Sequence, residues 1–473
     1  MVYDVAVLGG GVVGSAILNK LTRVGKKVVL IEKNSDVASI TSKANSGIIH
    51  AGFDAKAGTK KAILNARGAK IMPKLCKELG VALINNGALV IGNDMASVQE
   101  LFDRGIKNGI EGLQILNRQE LIKLLPTISD NITCGLYAKT SSIISPYLLT
   151  IALAEEAVIN GASVVFNFET KNFSKQDDYY ILDDGNQKIC AKKIVVACGG
   201  EHNSIANILG TKQYDIKFRR GEYYLLDKNA IDINGYTVFP LPTKDSKGVL
   251  VSPTVHGNII VGPTSILTDN NNTVTTDEGL KDIASKSGLM LTNVNLRKNI
   301  RVFAGVRTLV GDDFVIEKDS KNPDVINVTG ICSPGLTASP AIAEEVLKLL
   351  EIEDKENTMQ KRKIVPQIAN LSIDDINKLI AQNNNYGKIV CRCEMVSEAE
   401  IIEAIHSPLK PMSLDAIKRR TRAGMGRCQG GFCFMKVMEI IAREKNMSID
   451  EVTKENLSSR IIVGNIKWKK IMM

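Results

Sequence analysis

The sequence predicts an α/β fold with a parallel sheet, a second, mixed or antiparallel sheet inserted in it, and a small helical domain at the C-terminal end. Three observations predict this architecture. Strand, glycine-rich turn, helix and second strand patterns follow one another in the first 32 residues. Short apolar runs separated by turn residues fill the middle of the chain, and four cysteines occur in two close pairs after residue 390.

Length and composition bound the class of protein. The chain has 473 residues, of which 44% are hydrophobic and 23% charged, and these values exclude a disordered or fibrous chain. The formal charge of +9 is modest for this length and does not by itself indicate a nucleic-acid partner. In a reducing compartment the nine cysteines are expected to be thiols or metal ligands rather than disulfides.

The hydropathy pattern predicts neither a transmembrane segment nor a signal peptide. The longest charge-free stretches, 248–268 and 326–343, are interrupted by proline, glycine, asparagine and serine. A strand-like run begins at Tyr3, which leaves no room for the charged and apolar regions of a signal peptide. We therefore expect a cytoplasmic protein. The last residues carry lysines beside Trp468, and two alternatives stay open for them: peripheral contact with a membrane surface, or a cover over the adjoining domain.

The first element is a βαβ unit. Residues 3–8 form an apolar run typical of a buried parallel strand, and they lead into the turn Gly9-Gly-Gly-Val-Val-Gly14. Apolar residues then recur at helical spacing, and a second apolar strand over residues 27–32 follows. This order predicts a Rossmann-like domain that binds a dinucleotide.

Each part of this unit has a chemical reason. Gly9 permits the tight turn, Gly11 lets a pyrophosphate approach the backbone, and Gly14 lets the helix pack closely on the strand. The helix N-terminus receives the phosphates, and Glu32 can accept hydrogen bonds from a ribose hydroxyl. An acid at this strand end disfavours a 2′-phosphate, so the sequence predicts FAD or NAD rather than NADP.

Two later segments favour a flavin. Residues 193–200 form another apolar strand that ends in small residues, as expected where a backbone passes close to a ligand. Residues 325–339 form a strand and a glycine- and proline-containing loop, and a helix is predicted over 340–350. The N-terminus of that helix would face an anionic or carbonyl group.

This arrangement resembles the D-amino-acid-oxidase-like flavoproteins over about residues 1–370. The segment 41–54 (TSKANSGIIHAGFD) is similar to the flavin-flanking loop of the branch that contains glycerol-3-phosphate and 2-hydroxyglutarate dehydrogenases. The resemblance implies FAD as the cofactor. Together with the glycine template, it places the cofactor contacts at Gly9, Gly11, Val12, Val13, Gly14, Glu32, Lys33, Thr41, Ser42, Asn45, Ser46, Ala197, Gly199, Gly335, Leu336 and Thr337.

The same resemblance divides the chain into domains. The FAD-dependent oxidoreductase domain is expected over residues 1–370, and its inserted substrate domain forms a mixed or antiparallel sheet over the flavin. The FAD-binding segments are about 1–90, 145–215 and 320–355, and the substrate-domain segments are about 91–144 and 216–319. A linker over 371–388, a cysteine domain over 389–445 and a tail over 446–473 follow.

Arg307 and His50 are the first catalytic candidates. Arg307 lies in the segment Ala304-Gly-Val-Arg-Thr, which matches the arginine segment of the family, and its planar guanidinium can bind a phosphate or carboxylate through two hydrogen bonds. His50 is one of four histidines, and the resemblance places it near the flavin, where an imidazole can accept a hydroxyl proton. From the residues alone, a solvated strand-end arginine and a structural histidine are the alternatives.

Lys247 is the third candidate. It looks like the lysine that this family places near the reacting edge of the flavin, although a solvent-exposed loop lysine is an equal alternative. Arg220, Glu222 and Tyr223 are further candidates for lining the pocket. The expected reaction has Arg307 holding the anionic end of the substrate while His50 takes the alcohol proton.

The cysteines predict a metal centre near the C-terminal end. Cys391 and Cys393 form Cys-x-Cys, and Cys428 and Cys433 form Cys-x4-Cys, which gives four thiolates for zinc or an iron–sulfur cluster. The single-residue spacer disfavours zinc. The pattern resembles the bacterioferritin-associated-ferredoxin-like domain, which implies a 2Fe-2S cluster on these four residues. The other cysteines are scattered and are expected to pack as small apolar residues: Cys76, Cys134, Cys190, Cys198 and Cys332.

Cations without acids occupy residues 416–436 around the second cysteine pair. Cations near a cluster would stabilise its negative charge. Arg419 and Arg420 are interpreted either as a solvated helix face or as a docking site for an acidic electron-transfer partner. Nucleic acid is disfavoured because no aromatic stacking residues are interleaved with the charges.

Together the two parts resemble the large subunit of anaerobic FAD-dependent glycerol-3-phosphate dehydrogenases. The resemblance implies oxidation of sn-glycerol 3-phosphate to dihydroxyacetone phosphate, with electrons passing from the flavin through the cluster to a redox partner subunit or carrier. Two alternatives stay open. One is an L-2-hydroxyglutarate or amino-acid dehydrogenase or oxidase, since arginine recognises carboxylate as readily as phosphate. The other is a non-catalytic redox module or a scaffold held by zinc.

Overall fold

The computed structural model describes residues 1–228, 230–243 and 248–464. The chain divides into two compact units, one formed by residues 1–33 and 37–362, the other by residues 34–36 and those from 363 onward. Within the described ranges, no helix is both long and apolar enough to cross a membrane. The predicted α/β class with a small helical C-terminal domain is confirmed.

The first unit is built from both strands and helices. Its strands are β1 (Val2–Leu8), β2 (Val28–Ile31), β3 (Ile48–Ile49), β4 (Leu83–Ile84), β5 (Ala88–Gly92), β6 (Leu113–Asn117), β7 (Cys134–Ala138), β8 (Ser142–Ile144), β9 (Ser163–Val165), β10 (Asn172–Gln176), β11 (Tyr179–Asp183), β12 (Lys188–Val196), β13 (Lys217–Leu226), β14 (Thr237–Pro240), β15 (Leu250–Pro253), β16 (Ile259–Gly262), β17 (Ile266–Thr268), β18 (Asn299–Leu309), β19 (Val315–Lys318) and β20 (Val325–Thr329). Its helices are α1 (Val12–Arg23), α2 (Lys60–Leu79), α3 (Met95–Lys107), α4 (Arg118–Leu124), α5 (Pro146–Ile159), α6 (His202–Leu209), α7 (Asp277–Met290) and α8 (Gly335–Leu349).

The parallel strands of the first sheet position the dinucleotide turn, while β10, β11 and β19 add antiparallel strands to it. β1 lies between β2 and β12 and is parallel to both, while β9 continues the sheet beside β2 and β20 pairs with β12. The register places Leu8 beside both Ile31 and Val196. Because these strands are parallel and level, the glycine-rich turn after β1 and Glu32 after β2 begin at the same edge of the sheet.

Helix α8 starts earlier than predicted. It begins at Gly335 rather than at Pro340, which lies inside the helix. Pro340 has no N–H to donate to the carbonyl of Leu336, and the hydroxyl of Ser339 donates to that carbonyl instead, at 2.9 Å. The predicted flavin contacts at 335–337 therefore lie in the first helical turn. The prediction from the sequence, which placed them in a loop, is wrong on this point.

The second sheet is mixed, as predicted. Its strand order is β17-β13-β16-β15-β14-β5-β7-β6, with β18 also paired to β13. β14 and β5 are parallel, whereas the other neighbours are antiparallel. The long β13–β18 pair sets Arg219 directly opposite Arg307. The segment boundaries given above stay a prediction.

The second unit is a small helical domain. Its elements are α9 (Ile373–Gln382), β21 (Ile389–Cys391), β22 (Val396–Ser397), α10 (Glu398–Ile405), α11 (Leu414–Thr421) and α12 (Phe434–Lys445). Buried aliphatic residues of α10, α11 and α12, among them Ile401, Ile417 and Ile441, form its core. The stretch 371–388, predicted as a linker, contains α9, which packs against Tyr386.

A buried ion cluster stabilises this unit. Asp36 is 1% exposed and accepts hydrogen bonds from Arg419 at 2.9 Å and from Arg420 at 2.7 and 3.0 Å. Burial by itself would raise the pKa of Asp36, but the attraction and hydrogen bonds of the two arginines outweigh it and hold the pKa below its ordinary value. Both sequence interpretations of Arg419 and Arg420, as a solvated face or as a partner site, are therefore wrong.

We expect Asp36→Asn to lower the free energy of unfolding by about 3 kcal/mol at pH 7, because it removes the buried carboxylate that Arg419 and Arg420 share. A carboxylate whose pKa is lowered on folding stabilises the fold above its unfolded pKa, and this contribution disappears as the pH falls through the lowered value. The difference between wild type and variant should thus be constant from about pH 5 to 8 and shrink below about pH 4. Chemical denaturation across this range measures it. The exposed Asp374→Asn serves as control, and an equal loss in both variants would contradict the expectation.

Candidate functional site

The turn after β1 has no room for side chains. Gly9 has φ +106°, and a Cβ on it would lie 2.5 Å from the carbonyl oxygen of Ala197. A Cβ on Gly14 would lie 1.9 Å from the carbonyl oxygen of Gly9. Glycine is therefore required at both positions, for the turn and for the close helix–strand packing that the sequence predicted.

Polar groups around this turn fit a dinucleotide. The N-cap of α1 is Gly11, which provides no capping side chain, and the first helical turn carries no acid, so the positive end of the helix can receive an anion. Glu32 is buried, and one of its carboxylate oxygens accepts a hydrogen bond from the amide of Gly10 at 2.6 Å. Lys33 forms an ion pair with Glu201 at 3.1 Å. The acid predicted to bind a ribose is thus held against the glycine turn.

The segment 41–50 contacts helix α1, strand β18 and helix α8. The hydroxyl of Thr41 donates to the carbonyl of Val306 in β18 at 2.8 Å, and the hydroxyl of Ser42 accepts from the amide of Val12 at 2.9 Å. At the other end, the amide of His50 donates to the hydroxyl of Thr337 in α8 at 2.9 Å. Residues predicted as flavin contacts from three distant parts of the chain are therefore neighbours.

A cavity of about 560 Å³ lies beside this segment. His50 lines it, and one ring nitrogen of His50 lies 3.4 Å from the hydroxyl of Ser333, which also lines it. Arg307 and Arg219 line it as well. Further charged residues at the wall are Lys61, Arg104, Asp54 and Glu100. The structure thus brings the predicted base and the predicted anion-binding arginine to one cavity.

The two cavity arginines are held by the β13–β18 pair. Arg307 donates to the carbonyl of Thr264 at 3.0 Å, which orients its guanidinium without neutralising it. Arg219 is its cross-strand neighbour. Like charges directly opposite one another in a sheet repel, so an anion placed between them lowers the energy of the pair.

Arg219 takes the place that the sequence analysis gave to Arg220. Successive residues of a strand face opposite sides, so only one of the two arginines can face the cavity. Arg220 instead forms a buried ion pair with Glu222 at 3.0 Å, and Glu222 also accepts hydrogen bonds from the amide and hydroxyl of Thr276. Tyr223 is buried and stacks on Phe303. None of the three is among the residues that line this cavity, although the hydroxyl of Tyr223 lies 3.5 Å from that of Ser46, a predicted flavin contact. No signal in the sequence distinguished Arg219 from Arg220.

Lys247 lies outside the described residues, so its position stays a prediction. Of the scattered cysteines, Cys76 and Cys134 are buried, and burial raises the pKa of the Cys76 thiol to about 12. Cys332, however, lines the cavity and does not simply fill the core.

The four late cysteines form two pairs in the second unit. The sulfurs of Cys393 and Cys428 are 3.7 Å apart. The thiol of Cys433 donates a hydrogen bond to Cys391, which lowers the pKa of Cys391 to about 6. Among the residues that the structure describes, no group of three or more potential ligands is arranged around a single metal ion. Two pairs of thiols supply the four cysteine ligands that a binuclear cluster takes.

Backbone amides support the same assignment. The amides of Gly424 and Glu394 donate to the sulfur of Cys391, and those of Gly430 and Phe432 donate to the sulfur of Cys428. Such hydrogen bonds stabilise thiolates and tune iron–sulfur centres. The residues present therefore fit a 2Fe-2S cluster.

Comparisons with known proteins match both parts of the chain to families. Residues 4–349 match the family model "FAD dependent oxidoreductase", and residues 389–443 match "BFD-like [2Fe-2S] binding domain". A glycerol 3-phosphate dehydrogenase from Caloramator mitchellensis is 43% identical over 98% of this chain and 99% of its own length. A glycerol 3-phosphate oxidase from Mycoplasma pneumoniae is 34% identical over 73% of this chain and 94% of its own length.

The fold comparison points the same way. The structure of dithionite-reduced L-alpha-glycerophosphate oxidase from Mycoplasma pneumoniae with FAD bound has a TM-score of 0.71 and 31% identity, and the match covers 77% of this chain and 97% of that one. Glycine oxidase from Geobacillus kaustophilus, at 21% identity and a TM-score of 0.66, shares the fold.

Proposed function

We propose that this chain, which belongs to the FAD dependent oxidoreductase family, oxidises sn-glycerol 3-phosphate to dihydroxyacetone phosphate and gives the electrons to a separate redox protein. The observation that carries this proposal is the cavity shared by a histidine and two opposed arginines. The relative that aligns with nearly the whole chain bears the name of this substrate, which supports the choice.

The cofactors supply the electron chemistry. When bound, FAD accepts a hydride and the 2Fe-2S cluster transfers single electrons. Cys391, Cys393, Cys428 and Cys433 would hold the cluster. The glycine turn after β1, Glu32, the segment 41–46, the turn after β12 and the first turn of α8 would hold FAD.

Arg307 and Arg219 would bind the phosphate. Both are strand residues, and Arg307 is further fixed by its hydrogen bond to Thr264. Ordering the two side chains on substrate binding therefore costs little conformational entropy. Two guanidinium groups match the charge and the several oxygens of a phosphate dianion. With the phosphate held there, the rest of a three-carbon substrate extends into the remaining cavity.

His50 would accept the proton of the C2 hydroxyl. Its backbone is held by Thr337, and its ring is next to Ser333 and 6.0 Å from the ring of Phe239. A neutral imidazole is a suitable base near neutral pH, and removing the hydroxyl proton favours departure of the hydride from the same carbon. Lys247 stays a proposed third member of this site.

The share of this chain that aligns with each relative supports a dehydrogenase over an oxidase. The relative named as an oxidase aligns with 73% of this chain, whereas the relative named as a dehydrogenase aligns with 98% of it. A second candidate substrate is L-2-hydroxyglutarate, since relatives named for it align at 26–27% identity and arginine also binds carboxylate.

Anaerobic reduction of the bound flavin tests the proposal. We expect glycerol 3-phosphate to bleach the flavin absorption within the time of one turnover, and L-2-hydroxyglutarate to leave it unchanged. Bleaching by 2-hydroxyglutarate alone would overturn the proposed substrate. Iron and acid-labile sulfide assayed on the same sample test the cluster, and stoichiometric zinc without iron would overturn the electron exit.

We expect Arg219→Gln to raise KM for glycerol 3-phosphate about 10- to 100-fold while kcat changes little, because the phosphate does not react and its binding is equal in ground and transition states. Steady-state kinetics measure both constants. Lys217→Gln, an exposed change in the same strand, serves as the matched control. A fall in kcat with unchanged KM would place Arg219 outside phosphate binding.

A further inference from the structure

A short irregular segment after β2 passes from one unit to the other and back. Residues 34–36 belong to the second unit, although residues 33 and 37 on either side of them belong to the first. Within the described stretch 32–40, no residue lies in a helix or a strand. We call residues 32–38 the crossing segment.

Both ends of the crossing segment are bonded to Gly10, in the dinucleotide turn. The amide of Gly10 donates to the carboxylate of Glu32 at 2.6 Å, and the carbonyl of Gly10 accepts from the amide of Ala38 at 2.9 Å. A Cβ on Gly10 would lie 3.2 Å from a methyl group of Val37, so the segment also packs on the turn. The position of the turn that we propose for the pyrophosphate therefore depends on the conformation of this segment.

The middle of the crossing segment is held by the second unit. Asp36 accepts the three hydrogen bonds from Arg419 and Arg420 described above. The hydroxyl of Ser35 donates to the backbone carbonyl of Glu455, and the carboxylate of Glu455 pairs with Arg419 at 2.7 Å. Two adjacent residues of the segment are thus fixed by one group of polar contacts.

The backbone of the crossing segment is strained at its end. Ala38 has φ +57°, in the left-handed region that residues with a Cβ rarely adopt. Such a conformation persists only where the surrounding contacts hold it. Val37 and Ala38 are both fully buried, and the amide of Ala38 is the one bonded to Gly10. Release of Asp36 would therefore let the segment relax away from the conformation that holds the turn.

We infer that Asp36 is a positioning residue for FAD, which acts through the crossing segment on the turn at Gly10. The inference rests on the proposed function, which assigns this turn to the cofactor. While Asp36 is paired, folding of the second unit has already ordered the segment. Once Asp36 is released, FAD binding must order the segment, and the affinity for FAD falls. The coupling is reciprocal, so bound FAD stabilises the second unit.

The FAD affinity of the full-length protein tests the inference. Holoenzyme is diluted stepwise, and the free FAD that passes an ultrafilter is measured by its fluorescence, which gives the dissociation constant without any substrate. We expect Asp36→Asn to raise this constant at least about tenfold. Iron and acid-labile sulfide contents equal to those of wild type show that the second unit of the variant is folded.

Two further variants separate positioning from general damage. Asp415→Asn removes another buried carboxylate, which α11 carries and which pairs with Lys418 at 2.6 Å. It should leave the FAD dissociation constant unchanged, because Asp415 lies outside the crossing segment. Ser35→Ala removes the hydrogen bond to Glu455 but keeps the pairs of Asp36, and should raise the constant about two- to threefold. This smaller change decides the question where Asp36→Asn does not retain iron.

Hydrogen exchange measures the reciprocal effect. The amides of α11 should exchange more slowly in the holoenzyme than in the flavin-free full-length chain. This difference should disappear in Asp36→Asn. A residue that only stabilised the second unit would not make the exchange of α11 respond to FAD.

Two results would overturn the inference. One is an FAD dissociation constant that equals the wild-type value in Asp36→Asn with iron retained, or in Ser35→Ala where Asp36→Asn lacks iron. The other is an equal rise in Asp36→Asn and Asp415→Asn, which would show that any loss of stability in the second unit weakens FAD binding. Failure of glycerol 3-phosphate to bleach the wild-type flavin would instead overturn the proposed substrate, and the FAD affinities are read independently of it.

Discussion

His50→Asn is expected to lower kcat for glycerol 3-phosphate by about 10³-fold, since it removes the proposed proton acceptor from the cavity while keeping a side chain of similar size. The backbone hydrogen bond of His50 to Thr337 does not depend on the side chain, so the segment 41–50 should keep its position. The measurement is the rate of flavin bleaching in a stopped-flow instrument under anaerobic conditions.

The pH profile distinguishes a base from a structural histidine. In wild type, protonation of the imidazole should slow bleaching at acid pH, and this acid limb should be absent from His50→Asn. His406→Asn, an exposed histidine paired with Glu444 in the second unit, is the matched control and should keep both rate and profile. An acid limb retained in His50→Asn would remove His50 from the proton transfer.

Arg307→Ala is expected to lower kcat/KM by about 10²- to 10³-fold, because a phosphate in the cavity would lose its oriented guanidinium and leave Arg219 as its main cation. Arg307→Lys should recover only part of this loss, since an ammonium cannot make the paired hydrogen bonds of the planar group. Steady-state kinetics with glycerol 3-phosphate measure the change.

Two further measurements make this result specific. Added guanidinium should partly restore the activity of Arg307→Ala. Arg297→Ala, an exposed arginine in the short turn before β18, should behave as wild type. An Arg307→Ala enzyme with unchanged kcat/KM and a full complement of FAD would exclude this residue from substrate binding.

Local patterns predicted the parts of the fold that depend on neighbouring residues. The βαβ unit was identified because Gly9, Gly14 and Glu32 occur at fixed spacing, and the backbone geometry explains why the two glycines are required. The cysteine pairs were identified in the same way. The predicted start of α8 is wrong because proline is typical of a first helical turn, whereas Pro340 lies further inside the helix. There the hydroxyl of Ser339 donates to the carbonyl of Leu336, a contact that residue spacing does not predict.

Contacts between distant residues could not be predicted. Asp36 is more than 380 residues from Arg419 and Arg420, so nothing near the arginines in the sequence indicates that they are buried and paired. Arg219 and Arg220 are adjacent and chemically equal, and only the pairing of β13 with β18 decides which of them reaches the cavity. The sequence shows which residue types are present, whereas the packing of other elements decides which side of a strand faces the cavity.

As the proposed phosphate site, the opposed arginines of β13 and β18 should also make the rate sensitive to the assay buffer. A pair of guanidinium groups recognises a tetrahedral oxyanion whatever it is attached to, so sulfate and inorganic phosphate should compete with the substrate. Dihydroxyacetone phosphate carries the same group and should inhibit its own formation. The apparent affinity for substrate should therefore depend on which salt is dissolved with the enzyme, and chloride or acetate buffers should give the lowest KM.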